Sequence, residues 1–195
     1  MFDPAYRGPN RRDLLAGAAG VLLLPAANDA ATAEATAAAD PLHAFAFLTG
    51  HWRVRHRKLK TRLKGSSEWQ EFEGLCDAVE LLGGAGSVDD NWLDDPNGAY
   101  RAATFRRYDA TRKTWSIWWF DQRFSELGPP VHGSFDKGVG TFLGDDMLDG
   151  RPIRIRFIWS AISASHARWE QAFSADAGAS WETNWTMAFD RLAWD

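Results

Sequence analysis

The stretch Arg151-Pro152-Ile153-Arg154-Ile155-Arg156-Phe157-Ile158-Trp159 puts Ile153, Ile155, Phe157 and Trp159 on one side of an extended chain and Arg154 and Arg156 on the other. Side chains alternate faces along a strand, so this pattern predicts a strand with one face in an apolar core. The last segment repeats it, with Trp181, Thr183, Trp185, Met187 and Phe189 facing one way and Glu182, Asn184, Thr186 and Asp190 the other. Outward from these two, similar runs occupy residues 51–60, 68–80, 86–93, 100–108, 113–122, 131–136, 139–144 and 165–174. They are separated by turn chemistry: Asp95-Pro96-Asn97-Gly98, Asp136-Lys137-Gly138 and Asp149-Gly150 supply the preset proline φ and the left-handed positions at which strands reverse. Gly83-Gly84-Ala85-Gly86 is another turn, with no helix after it to bind phosphate. Helical spacing is confined to residues 41–48, where Leu42, Phe45 and Leu48 recur. Short connections imply antiparallel neighbours. The implied fold class is all-β, an antiparallel up-and-down barrel of about 8–10 strands with a short N-terminal helix, a sandwich being the other arrangement of such strands.

Composition bounds the rest. A chain of 195 residues with 45% hydrophobic positions suits one domain with a single core and excludes an intrinsically disordered chain. A net charge of -4, from 22 Lys+Arg against 26 Asp+Glu, lacks the dominant basic field of a nucleic-acid binder. The basic run Arg53, Arg55, Arg57, Lys58, Lys60, Arg62 and Lys64 reads as a solvated strand face. A single cysteine, Cys76, excludes an internal disulfide framework and reads as a buried thiol. The unusual feature is aromatic: 11 Trp, 12 Phe and 3 Tyr.

Residues 1–39 differ in character from the remainder of the chain. Asn10-Arg11-Arg12-Asp13-Leu14-Leu15 opens an apolar stretch ending near Leu24, followed by Pro25 and an Ala-rich tract, the order of a signal peptide and linker. The paired arginines before a Gly/Ala-containing apolar region resemble a Tat export signal, although Asp13 sits in a flank that is normally neutral or basic. The resemblance implies the Tat machinery as a partner of the precursor and a periplasmic or secreted barrel domain over residues 40–195. The apolar run is well short of the roughly 20 residues that span a bilayer, so no stable membrane anchor is expected.

Leu48-Thr49-Gly50-His51-Trp52, a short helix running into Gly-x-Trp at the head of the first strand, resembles the start of lipocalins and other calycins. There the helix closes one end of the barrel and the tryptophan packs across its floor. With Asn91-Trp92, Tyr100-Arg101, Trp115-Ser116-Ile117-Trp118-Trp119 and Trp169-Glu170, most of residues 42–191 is similar to a family of bacterial calycin-like proteins, a resemblance that implies fold and carries no activity. The haem-binding nitrobindins open with a similar Gly-x-Trp, but Arg53, Val54 and Arg55 stand where their further glycines would be, so no haem or other cofactor is carried over. Ser174-Ala175-Asp176-Ala177-Gly178-Ala179-Ser180-Trp181 resembles the Asp box of sialidase-type propellers, which implies a structural hairpin joining the last two strands.

Signatures of specific chemistry are absent from the sequence: no HExxH, no Gly-x-Ser-x-Gly elbow and no phosphate loop. His51 and His56 lie an odd number apart on one strand and cannot share a metal, and no metal site is expected. The acid pairs Asp89-Asp90, Asp94-Asp95 and Asp145-Asp146 alternate faces or sit in turns, and read as solvated. The constellation that remains mixes polar groups with aromatics: Trp52; Asn91 and Trp92; Trp118, Asp121 and Arg123; His132; Arg156, Glu170 and Asn184. Arg156 and Glu170 are expected to form an internal ion pair. A few polar groups converging in an aromatic cavity line small-molecule sites, so these ten are the candidate ligand-binding residues. The first functional reading is an exported barrel binding a partly apolar, aromatic or sugar-like ligand. A cofactor-independent hydratase, isomerase or cyclase is the second, with His132 or Asp121 as base and Arg156 holding an oxyanion. A structural barrel with a filled interior is the third.

Overall fold

In the computed structural model, residues 40–193 are described. They form ten strands: β1 Gly50–Leu59, β2 Trp69–Leu81, β3 Gly86–Leu93, β4 Tyr100–Asp109, β5 Thr114–Asp121, β6 Val131–Asp136, β7 Val139–Leu148, β8 Arg151–Ser160, β9 His166–Ser174 and β10 Glu182–Arg191. Each pairs antiparallel with its neighbour in sequence, and β1 pairs with β10, so the sheet is a closed up-and-down barrel. The signal-peptide and Tat readings fall on residues 1–39, outside the described residues. No helix among the described residues is long and apolar enough to cross a membrane.

Alternation assigns the faces. Ile153, Ile155, Phe157 and Trp159 of β8 point into the barrel, opposite Asp146, Gly144, Phe142 and Gly140 of β7. Trp185, Met187 and Phe189 of β10 also point inward, opposite Lys58, His56 and Val54 of β1. The expected parity of β10 does not extend through its start. A bulge between Thr183 and Trp185 resets the register, so that Glu182 and Trp185 share the inner side, Thr183 does not, and Asn184 is fully buried between them.

The predicted helix over residues 41–48 is instead two short 3-10 turns, Pro41–His43 and Ala46–Leu48. Asp40 accepts a hydrogen bond from Leu42 N–H at 2.9 Å, and Leu48 N–H bonds Phe45 C=O three residues back at 3.0 Å. This segment stoppers one end of the barrel. Phe45 meets Trp115 at 4.9 Å and Phe135 at 5.1 Å, both edge-on, and Phe142 at 5.7 Å. Trp52 lies across the floor and donates its indole N–H to Leu48 C=O at 2.6 Å. The Arg191 guanidinium sits 4.1 Å above the Trp52 ring and donates to Phe47 and Thr49 carbonyls at 2.6 Å each. At Gly133 of β6 a Cβ would stand 1.9 Å from Thr141 C=O, so only glycine lets β6 and β7 approach as they do.

The β9–β10 turn is the expected Asp box. Asp176 accepts from the Ser174 hydroxyl at 2.7 Å, the Ser180 hydroxyl at 2.5 Å and Ser180 N–H at 2.8 Å, bonds that draw its carboxyl pKa down to about 2.

Because the buried Phe45 ring packs against Trp115, Phe135, Phe142 and Trp159 together, Phe45→Ala is expected to destabilise the barrel by about 3–5 kcal/mol in urea unfolding. A loss below about 1 kcal/mol would show that the stopper is not part of the folded core.

Candidate functional site

Above the stopper the interior is polar on one wall and aromatic on the other. Asp89, Asn91, Thr104 and Arg106, from β3 and β4, face Ile117, Trp119, Phe157, Trp159, Trp169, Met187 and Phe189 around a cavity of about 30 Å³. That volume holds one or two waters, or one small group of a larger molecule. The polar wall is a network around one carboxylate. Asp89 Oδ2 pairs with the Arg106 guanidinium at 2.6 Å, and its Oδ1 accepts from Asn91 Nδ2 at 2.5 Å and Thr104 N–H at 3.0 Å. A buried ion pair has to recover a large desolvation cost through such hydrogen bonds. On the cationic side the compensation is incomplete: the Arg106 guanidinium lies 5.0 Å from the centre of the Phe45 ring, and its buried Nε–H has no acceptor among the described residues.

The other end of the barrel is its mouth. Lys58 of β1 lies 3.9 Å from Asp95 and 4.4 Å from the Trp185 ring centre. Asp95 also accepts from Gln70 Nε2 at 3.2 Å and from Asn97 N–H at 2.9 Å. Burial, together with the charges of Arg62 and Arg123, lowers the Lys58 ammonium pKa to about 8. Tyr100 is buried, its hydroxyl has no partner among the described residues, and Arg123 covers its ring at 3.5 Å. Trp185 stands between mouth and cavity. Its ring meets Trp119 at 5.7 Å and Trp169 at 5.6 Å, both of which line the cavity, while its N–H donates to His56 Nδ1 at 3.2 Å. His56 stacks on Phe72 at 4.7 Å in the space left by Gly74, where a Cβ would lie 2.6 Å from the imidazole. Burial, then the nearby Lys58 charge, holds the His56 pKa down at about 3.

The ten candidate residues separate into two groups. Asn91 lines the cavity, Trp52 forms the floor, and Asp121 and Arg123 sit at the mouth, bonded to each other at 2.8 Å. Asn184 is interior and accepts from Gln171 Nε2 at 2.8 Å. The other five are on the outside of the barrel. Trp92 is 38% exposed, and Trp118 stacks on Phe105 at 5.8 Å on the outer face. His132 points outward because Val131 and Gly133 point in, and it bonds the Ser116 hydroxyl at 2.9 Å. Arg156 alternates with the inward Ile155 and Phe157, so it lies outside, 4.5 Å over the Trp181 ring. Glu170 is also outside and is bonded by Arg168 at 2.7 Å, so the expected internal Arg156–Glu170 pair does not form. His132 and Arg156 are therefore not placed to serve an interior reaction.

Seven interior groups were missed by the reading of sequence: His56, Asp89, Thr104, Arg106, Asp95, Tyr100 and Lys58, the last of which is buried and inward although the basic run containing it reads as a solvated face. Of the acid pairs read as solvated, Asp89 and Asp95 are buried, while Asp90 lies outside against Arg101 and Asp145 is exposed. The signal was available in the Asp95-Pro96-Asn97-Gly98 turn, which pairs Leu93 with Tyr100 and hence Asn91 with Ala102 and Asp89 with Thr104. Cys76 is buried as expected, and burial pushes its thiol pKa well up. Among the described residues no group of three or more His, Cys, Asp or Glu is placed to hold a metal.

No protein-family model matches this chain, and no curated protein matches it. Among solved structures, the S-type phycobiliprotein lyase CPES from Guillardia theta is similar, with a TM-score of 0.55 at 10% identity over 83% of this chain and 98% of that one. The two chains share a fold. It is the lipocalin-like calycin barrel that Gly50-His51-Trp52 led the sequence to resemble, and at this identity the likeness extends to fold alone.

The His56 environment sets a pH dependence. In the unfolded chain the imidazole takes a proton near its ordinary 6.5, but in the barrel not until about 3, so between those values the unfolded state binds more protons. Stability is then lost as pH falls through this window and is unaffected by His56 above it. His56→Gln, which keeps an acceptor for Trp185, is expected to remove about 2–3 kcal/mol of the loss between about pH 7.5 and 4.5 in urea unfolding. An unchanged slope would show that His56 is protonated or exposed in the folded protein.

Proposed function

We propose that this protein binds a small, partly apolar ligand inside the barrel. The observation that carries this reading is the convergence of four polar side chains on a small, aromatic-walled cavity lined in part by Arg106, whose buried Nε–H lacks an acceptor among the described residues. Few and directional polar groups among aromatic walls are the usual lining of a small-molecule site. A ligand group with an oxygen acceptor would satisfy Arg106 while a planar or sugar-like body stacks on Trp119, Trp159 or Trp169. The cavity takes only the leading part of such a molecule. The rest requires Met187, a side chain with several rotatable bonds, and Trp185 to turn toward the mouth. The shared fold with a phycobiliprotein lyase supports a barrel that handles a ligand.

The enzyme reading draws no support from the site. Burial pushes the Asp121 carboxyl up, but the side-chain and backbone hydrogen bonds and the charge of Arg123 outweigh it and leave Asp121 below its ordinary pKa, a poor setting for a general base. The filled structural barrel is the alternative: a cavity of about 30 Å³ leaves it standing unless a ligand is found. The reading includes export: the twin-arginine leader over residues 1–39 would deliver the barrel to the periplasm or beyond.

Two measurements test these statements. Native mass spectrometry and tryptophan-fluorescence titration of the protein purified from its own host are expected to show one bound small molecule per chain. At a hundredfold excess over Kd it should stabilise the barrel by about 2.7 kcal/mol. A bare mass and no quenching across aromatic acids, aromatic alcohols and sugars would leave the filled barrel as the reading. Separately, R11K with R12K is expected to retain the precursor in the cytoplasm, and unchanged appearance of processed protein in the periplasmic fraction would overturn Tat export.

A further inference from the structure

The mouth carries more positive charge than its carboxylates engage. Three cations gather around Tyr100: Arg123 lies 3.5 Å over its ring, Lys58 Nζ stands 6.0 Å from it, and Arg62 reaches in from the β1–β2 connection, 5.8 Å from the Phe173 ring. Arg123 is held by Asp121, and Lys58 has Asp95 at 3.9 Å, though that carboxylate already serves Gln70 and Asn97. Among the described residues no carboxylate lies within ion-pair distance of Arg62. Glu182, one of the carboxylates whose charge acts on Arg62, accepts from Leu63 N–H at 2.8 Å, a bond that ties the connection to the start of β10. Arg62 is half-buried, and burial lowers its pKa, so its guanidinium is partly withdrawn from water. Tyr100 is 2% exposed and its hydroxyl has no partner among the described residues. A half-buried guanidinium with no carboxylate partner among the described residues and an orphaned buried hydroxyl thus meet above Trp185.

We propose that Arg62, Lys58 and the Tyr100 hydroxyl recognise the carboxylate of a planar aromatic acid, whose ring passes Trp185 toward the cavity. This rests on the ligand-binding reading above and names the chemical class of its ligand. A carboxylate suits the position because a guanidinium presents two parallel N–H donors to its two oxygens, with the ammonium and phenol O–H completing its lone pairs. Arg123 stays with Asp121 and sets the Tyr100 ring in place from above.

The test compares 2-naphthoate with 2-naphthamide, which share shape and differ in charge, by calorimetric titration of the full chain. The acid is expected to bind about tenfold to a hundredfold more tightly than the amide. R62M should bring the acid close to the affinity of the amide while weakening the amide far less, with the urea midpoint of the variant as the control for folding. Y100F should produce a smaller loss of the same kind. Equal affinities for acid and amide, unmoved by R62M, would overturn the anion site and leave the ligand-binding barrel standing. Absence of binding for both probes would overturn the anion site and count against the ligand-binding reading as well.

Discussion

Everything in this molecule depends on the pairing of β1 with β10. Until those strands meet, the sheet is a curved meander with two open edges, and neither face is inside. Once Trp52 lies opposite Arg191 and Lys58 opposite Trp185, alternation becomes a boundary between solvent and interior for all ten strands. The same ladder sets the two ends apart. Trp52 and Arg191 fasten the stopper at one, and Lys58 and Trp185 open onto the mouth at the other. A ligand site in such a barrel is a matter of which inward positions the closed register leaves polar.

Those positions are costly. Asp89, Arg106, Asn91, His56 and Asn184 occupy places where apolar residues would pack without desolvation loss, and most are held by hydrogen bonds to one another or to tryptophan. The stopper and the cavity are joined through Arg106, whose guanidinium touches the Phe45 ring on one side and pairs with Asp89 on the other. Closing the floor and setting the cavity are in that sense one packing problem. The high tryptophan content has the same origin: Trp115 and Trp159 pack around the stopper while Trp119, Trp169 and Trp185 divide the upper interior.

The architecture was legible because it rests on local signals. The Ile153 to Trp159 alternation, the Gly-containing reversals and the Asp box all act within a few residues, and the strands fall where they placed them. The candidate site was legible only in part, because inside and outside are decided by neighbours distant in sequence. Trp92, Trp118, His132, Arg156 and Glu170 carry site-like chemistry but fall on the outer parity of their strands. Asp89 and Arg106 looked like ordinary charged positions until the β3–β4 register set them together. The bulge at Asn184 is the sharpest case. It is a single extra residue that no alternation pattern announces, and it decides that Glu182 faces the mouth.

The closing ladder joins Trp52 to Arg191, the most widely separated pairing in the fold, while every other pairing is between consecutive strands. Contacts of such long sequence separation form late, because the intervening chain must first give up its freedom. Hairpins such as the Asp-box turn can assemble quickly, and the barrel then waits on its seam. Until the seam closes the sheet has two raw edges, and partner chains can compete with β10 for β1. At high concentration this favours strand exchange between molecules over closure within one.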